Sequence, residues 1–376
     1  MPLVTIITIN YKNYLDTIEC LASLLEIDYY PYQIIVIDNN SQNDSCTCIK
    51  KWLKAQETVN FNWNGLNMGE DAELSRPTPF ISYSFNGAEF IEDEKQLFDD
   101  GNDKIEKKNI VKSPLILIKS DNNLGYSGAN NLGIKFALNN NPPDFFWFLN
   151  NDTVVEKYAL STLIETINKD QRIGLVGSKL IYYYNPGYIQ YLAGGKIKYN
   201  YATFPYQDSK DFYSDDIEIK GYITGASFLI KREIIDRVGI WDENFFMSVE
   251  DVEYSFRISK AGYKLYACLG SRVYHKDSAS TKTKKKTRYF LGWKTKRVSF
   301  NSSHVPGYYD LRNWLYFGRK HRTLISKIFY YYFFVPAYFL AVIVFIIVFD
   351  DHKRDRIKLA AKAFKDGLTN KLGPLT

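Results

Sequence analysis

The chain has 376 residues, 45% hydrophobic and 24% charged, which excludes a largely disordered protein and suits one large α/β domain with appendages. Its net charge of +6 is a remainder of unlike parts: residues 57–107 hold twelve Asp/Glu against four Lys/Arg, and residues 270–327 hold fifteen Lys/Arg against two acids. An anionic partner is therefore expected at the last third of the chain. Four cysteines exclude a disulfide framework at this length, and Cys46-Thr47-Cys48 lacks the spacing of a zinc knuckle, so reduced thiols in a cytoplasm are expected. The first residues lack the basic segment of a secretory signal, and none is expected.

In chain order, Val4–Asn10 is a β-branched run, Tyr14–Glu26 has apolar residues at helical spacing, and Gln33–Asp38 is again a buried-strand pattern. Residues 57–110 are acidic, contain Pro77 and Pro79 and show no sustained period. They read as an insertion emerging from one end of the sheet, partly ordered by Phe80, Tyr83, Phe85 and Phe90. The alternation resumes with a strand at Pro114–Ser120, a helix at Gly128–Asn140, a strand at Asp144–Leu149, a helix at Lys157–Asn168 and a strand at Ile173–Tyr184. Apolar strands separated by amphipathic helices predict a mostly parallel sheet covered on both faces. Further on, Lys231–Gly239 and Glu250–Ala261 read as helices, and Tyr263–Ala267 and Arg272–His275 as strand pieces.

The domain expected is 1–280, followed by a basic region at 281–327, an apolar segment at 328–349 and a basic tail at 350–376. Ile328–Phe349 is 22 residues without a charge, the length of a membrane span. Pro336 interrupts it, and both flanks are basic. An interfacial or re-entrant insertion keeps both flanks on one side and is favoured over a single crossing. Lys282–Arg297 carries eight cations and no acid, which suits anionic head groups or a lipid diphosphate better than nucleic acid, because no stacking platform is evident. The alternative is a solvated loop.

Candidate chemistry lies at strand ends. Asp38 follows the second strand, where it either accepts hydrogen bonds from a nucleoside or caps a helix. Asn123–Asn131, rich in glycine and asparagine, opens a helix whose N-terminus favours an anion; the spacing is not the dinucleotide fingerprint. Asp152 ends the fourth strand, and one carboxylate on a cation that also holds substrate phosphates is the usual magnesium or manganese arrangement. Glu250, Asp251 and Glu253 at a helix start either compensate its dipole or supply a general base. His275 is structural or a metal ligand.

Together, VTIITINYKNY, VIDNNSQNDS, NLGYSGANNLGIKFAL, FLNNDTVV, TGASFLIKREIIDRVGIWDENFF, EDVEYSFRISKAGYKLY and VYHKDSAS, in this order, resemble family 2 glycosyltransferases of the GT-A fold, in particular a bacterial rhamnosyltransferase-like branch. The resemblance covers roughly residues 3–56 and 112–327. It implies a GT-A, Rossmann-like sheet flanked by helices. It also implies donor contacts at Asn10, Tyr11, Asp38, Gly125, Gly128, Asn130, Asn131 and Asn151, and a divalent cation, Mg2+ or Mn2+, on Asp152 and His275. Asp251 is implied as the base, with Glu250 beside it. The family's metal motif begins with an acid, and here Asn150 stands in that place. Tyr308–Asn313 resembles a C-terminal segment of the branch with a structural or acceptor-side role. The function implied is inverting transfer of a sugar, rhamnose from dTDP-rhamnose, to a polyprenyl-diphosphate-linked saccharide in polysaccharide or O-antigen synthesis at the cytoplasmic face of the inner membrane. A nucleotidyltransferase and a non-catalytic sugar-nucleotide binder are the competing readings.

Overall fold

The computed structural model describes residues 1–61, 63, 66, 77–97, 115–198, 202–205, 216–276, 284–290, 293–299, 305–349 and 352–375. The first half runs β1 (Val4–Asn10), α1 (Tyr14–Leu24), β2 (Tyr32–Asp38), α2 (Ser45–Leu53), β3 (Phe80–Phe85), β4 (Phe90–Gln96), β5 (Leu115–Ser120), α3 (Gly125–Asn140), β6 (Phe145–Asn150), β7 (Thr153–Val155), α4 (Ala159–Asn168) and β8 (Ile173–Tyr182). Then come β9 (Ile189–Leu192), β10 (Gly194–Lys198), β11 (Ala202–Pro205), β12 (Ile217–Glu218), β13 (Gly221–Ile223), β14 (Ser227–Lys231), α5 (Arg232–Val238), α6 (Glu250–Lys260) and β15 (Lys264–His275). The last part is a hairpin of β16 (Lys284–Phe290) and β17 (Trp293–Ser299), then α7 (Val305–His321), α8 (Leu324–Phe329), α9 (Val335–Phe349) and α10 (Lys353–Thr369).

The main sheet has the order β12-β15-β8-β14-β6-β1-β2-β5-β3-β4. β2 is buried along its whole length and β1 almost so, as strands covered on both faces must be. One face packs on Ile18, Leu21 and Leu24 of α1 and Leu160, Leu163 and Ile167 of α4. The other packs on Leu132 and Phe136 of α3, Trp241, and Tyr254 and Ile258 of α6.

The sheet is mixed rather than mostly parallel. Its centre, β6-β1-β2-β5, is parallel, but β14 runs antiparallel between β6 and β8. The reason lies in the chain path. β8 ends at the carboxyl edge, and β14 re-enters from that edge, with Ser227 opposite Leu149 near the end of β6. The strand pieces expected around 263–275 are one strand with an irregularity between Cys268 and Arg272.

The described part of the acidic insertion does not hang from the end of the sheet. β3 pairs in parallel with β5 and β4 closes the edge, extending the sheet sideways. Tyr83 and Phe90 pack on Phe136 of α3, with ring centroids 5.0 Å apart in each pair. The carboxylates Glu92, Asp93 and Glu94 sit on the edge strand, where charge discourages pairing with another chain.

Leu324–Val348 forms one continuous helix of 25 residues, about 37 Å at 1.5 Å per residue, long and apolar enough to cross a membrane by length and composition. Pro336 does not break it. A π-helical stretch at Tyr330–Phe334 precedes the proline and accommodates its missing N–H. α10 then turns back, burying Ala360, Ala363 and Phe364 beside α7 and α9.

Candidate functional site

The parallel register puts three strand ends level: Asn10 lies beside Asp38, and Ile9 beside Asn150. A chain of hydrogen bonds runs along this carboxyl edge. Asn151 Nδ2 donates to Thr17 Oγ1 (2.9 Å), Thr17 Oγ1 to Asn10 Oδ1 (2.8 Å), and Asn10 Nδ2 to Asp38 Oδ2 (2.6 Å). Ser41 donates to both oxygens of Asp38 through its backbone N–H and its hydroxyl. Asp38 is 2% exposed, so this carboxylate shapes the edge through Asn10 and Ser41. Tyr11, by contrast, stands in solvent with Lys12 over its ring.

Asp152 and His275 converge. β15 pairs with β7 so that His275 lies opposite Thr153, and His275 Nε2 comes 3.2 Å from Asp152 Oδ1. His275 Nδ1 donates to Gln190 Oε1 at 2.8 Å, which turns the other ring nitrogen toward the carboxylate. Two electron-pair donors face each other here, an arrangement that a proton or a cation stabilises. Burial works to raise the Asp152 carboxyl, but the hydrogen bond and charge of His275 outweigh it and hold it below the usual range. Among the described residues, no group of three His, Cys, Asp or Glu forms a complete metal cage. Lys276 is paired with Asp16 and Glu19 next door.

The catalytic-motif acids arrive from the other side. The antiparallel entry of β14 brings Ala226 to Asn150, whose N–H donates to the Ala226 carbonyl at 3.0 Å. The next residue back, Gly225, donates its N–H to Asp251 Oδ2 at 3.0 Å. Its carbonyl accepts from the Tyr126 hydroxyl at 2.7 Å. Asp251 and Asp152 thus approach one region from two directions. Tyr126 feels the charges of Glu250, Asp251 and Asp152, which together with burial raise its hydroxyl above the ordinary range. Glu253 is turned away: it is buried against Arg257, Lys320 and His321, and although burial opposes it, these cations and the His321 hydrogen bond hold it at about 2.

The glycine- and asparagine-rich turn packs against the 241–246 loop. Gly125 has φ +69°, and a Cβ there would sit 2.3 Å from the Phe246 carbonyl oxygen. Asn131 is fully buried, with its amide donating to the Trp241 carbonyl and Glu243 Oε1 and accepting from Trp241 N–H. Asn130 donates to the Tyr126 carbonyl, and Gly128 packs closely on Leu124. Asn131, with the Tyr126 N–H donating to the Phe246 carbonyl, therefore ties α3 to the 241–246 loop.

That loop is strained. Phe246, Ser248 and Val249 all have positive φ (54°, 69° and 70°), which costs a β-branched residue most. α7 holds it. Asn313 Nδ2 donates to the carbonyls of Phe245, Met247 and Ser248 at 2.7–2.8 Å. Arg312, fully buried, reaches the carbonyls of Asn244, Phe245 and Gly373. The boundary expected after residue 280 therefore cuts through the site, because α7 braces the loop that delivers Glu250 and Asp251. Asn313 and Arg312 belong to the YYDLRN segment, and the quoted motif was the only sequence signal for their role.

α7 also contributes Asp310, which the sequence reading left without a specific role. It opens on the groove described below, yet the surrounding walls and the Asp251 charge raise its carboxyl to about 6. Burial, then the Asp251 charge, push Glu250 up to about 8. Burial raises Asp251 as well. Glu250 Oε2 has no hydrogen-bond partner among the described residues. A carboxyl whose native pKa exceeds its unfolded value binds more protons when folded, so its contribution is present at low pH and lost as pH rises through about 8. Glu250→Gln is therefore expected to raise the melting temperature relative to the unmutated protein more at pH 8.5 than at pH 5, read by thermal scans at both pH values. Equal shifts at both would remove the raised carboxyl from the account.

The family described as "Glycosyl transferase family group 2" matches residues 145–349, more than half of the chain, spanning β6 through α9. The low-salt glycan biosynthesis hexosyltransferase Agl10 of Haloferax volcanii is 20% identical over 187 residues, 49% of this chain and 60% of its own. The N-acetylglucosaminyl-diphospho-decaprenol L-rhamnosyltransferase of Mycobacterium tuberculosis is 34% identical over 61 residues, 16% of this chain and 20% of its own. The chain thus spans less than two thirds of either relative. The crystal structure of GalNAc-T7 with UDP, GalNAc and Mn2+ superposes with a TM-score of 0.54 at 14% identity, covering 98% of this chain and 56% of that one. Fold and site together define a GT-A glycosyltransferase. The chain belongs to glycosyltransferase family 2.

Proposed function

We propose that this chain is an inverting glycosyltransferase that moves a hexosyl unit from a nucleotide-diphosphate sugar to a saccharide carried on a polyprenyl diphosphate. The observation that carries the reading is the approach of Asp251 and the Asp152–His275 pair to one carboxyl edge from opposite sides. Asp251 takes the proton of the acceptor hydroxyl. As that oxygen bonds to the anomeric carbon, the bond to the diphosphate breaks, and the nucleotide diphosphate leaves with the electron pair. One displacement inverts the centre. Asp152 and His275 would hold a divalent cation, which when bound would supply positive charge to offset that of the leaving diphosphate. Mn2+ in a structure of the same fold and the contact of His275 Nδ1 with Gln190 Oε1, which turns Nε2 toward Asp152, support this. Asn10, Tyr11, Asp38 and Asn151 stand at the strand ends assigned to the nucleoside, Tyr11 exposed and Asp38 acting through Asn10 and Ser41.

Rhamnose carried by dTDP and a lipid-linked acceptor rest on the motif resemblance and on the printed activity of the mycobacterial relative. Attachment to the cytoplasmic face of the inner membrane rests on the apolar helix. Since α10 returns to α7 after that helix, with Leu375 N–H donating to the Tyr309 hydroxyl and Tyr308 donating to Asp366, both flanks favour one side, as in an interfacial insertion.

The test is incubation with membranes and a panel of labelled sugar nucleotides, with and without Mn2+. Label in the lipid fraction with inverted linkage is expected. Donor binding without transfer would leave a non-catalytic binder, and diphosphate release from a nucleoside triphosphate would favour nucleotidyl transfer.

A further inference from the structure

A groove of about 400 Å³ lies between α7, α9 and α10. Its walls are Leu311 on α7, Val342, Phe345 and Ile346 on α9, and Leu359 on α10, and the small Gly307, Ala341 and Ala360 keep it open. Two charged residues line it. Asp310 stands on α7 within electrostatic reach of Asp251, and Arg356 stands on α10. Through Asp310, one side of the groove lies within electrostatic reach of Asp251. At the other it meets the exposed apolar surface of α9, where Leu340, Val344 and Ile347 are 63%, 50% and 49% exposed.

A surface of this kind, largely apolar with one cation and one carboxylate on its walls, complements an amphiphile that has a long hydrocarbon chain, an anionic linker and a sugar. It does not suit a free sugar, which would leave the apolar walls wet. We propose that this groove holds the first isoprene units of the acceptor lipid, with Arg356 beside its diphosphate and Asp310 hydrogen-bonding the acceptor sugar so that its hydroxyl faces Asp251. The inference rests on the lipid-linked acceptor proposed above and gives that acceptor its place. It also gives the brace of α7 and α10 a purpose: the helices that wall the lipid groove are those that set the catalytic loop, through Asn313 and Arg312.

The experiment uses the full chain in bilayer vesicles and a polyprenyl-diphospho-saccharide bearing a photoactivatable group on its second isoprene unit. After irradiation, label is expected on peptides containing residues 338–346 or 356–360. Label confined to other peptides overturns the groove. In parallel, Ala341→Trp fills the groove from α9. It should raise KM for the long-chain acceptor by about tenfold or more, because burial of several methylenes is lost, while transfer to the same saccharide on a short water-soluble alkyl diphosphate is unchanged. An equal loss with both acceptors also overturns it. Failure of the underlying reading looks different: the unmutated protein would transfer sugar to a free or alkyl-linked saccharide and never to the polyprenyl lipid.

Discussion

Asp251→Asn is expected to lower transfer by roughly 10²- to 10⁴-fold, the usual contribution of a positioned general base, while the affinity for the sugar nucleotide stays unchanged. The structural basis is specific. Asn is isosteric and its one amide oxygen can still accept from the Gly225 N–H, which keeps the tie to the β14 entry while the acceptor for the Val252 N–H is given up. The strained turn before α6 is held by Asn313 and Arg312 and does not depend on the carboxylate. What is lost is a basic oxygen beside the acceptor hydroxyl. Single-turnover transfer and calorimetric titration with donor separate the two effects. Loss of donor affinity along with transfer would place Asp251 in donor binding and count against its role as base. Burial, then the Asp251 charge, raise Glu250 to about 8 in the unmutated protein; the substitution removes the second cause and leaves burial in place.

The second large effect is expected for Asp152→Ala, which should lower transfer by on the order of 10²-fold or more, since a cation on the leaving diphosphate is worth several kcal/mol. Donor affinity and the response to Mn2+ should weaken together. His275 would keep its bond to Gln190 but lose the partner 3.2 Å away. A Mn2+ response that persists undiminished in the variant would take Asp152 out of the cation site. The converse variant, Asn150→Asp, restores an acid at the first position of the motif. It is expected to lower the Mn2+ concentration needed for half-maximal transfer, measured by metal titration.

The alternation of apolar strands and helices was readable because strands covered on both faces have to be apolar throughout, and β1, β2, β5 and β6 fall where that pattern places them. Asp152, His275 and Asp251 were readable as candidates because each stands at a strand end or helix start in a recognisable motif. The edge hairpin β3–β4 was not, because an edge strand needs only one buried face and carries its charges openly, so it shows little period. The direction of β14 was not either. It depends on where the preceding forty residues leave the chain, which no local propensity encodes.

The inward-facing polar residues divide in the same way. Asn130 and Asn131 look like ligand contacts in the sequence, and Arg312 and Asn313 belong to a segment whose resemblance implies a structural or acceptor-side role. In the fold, Asn131, Arg312 and Asn313 are buried braces for one strained loop. Local sequence determined which residue types stand at the strand ends and that the last third carries an uncharged helix between basic flanks. Only the tertiary structure decided that the flank beyond that helix returns to α7, and that Asp310 meets Asp251. The reason is that hydrogen bonds and charges act between residues close in space, and the pairs that matter here are separated by about sixty positions of chain or more.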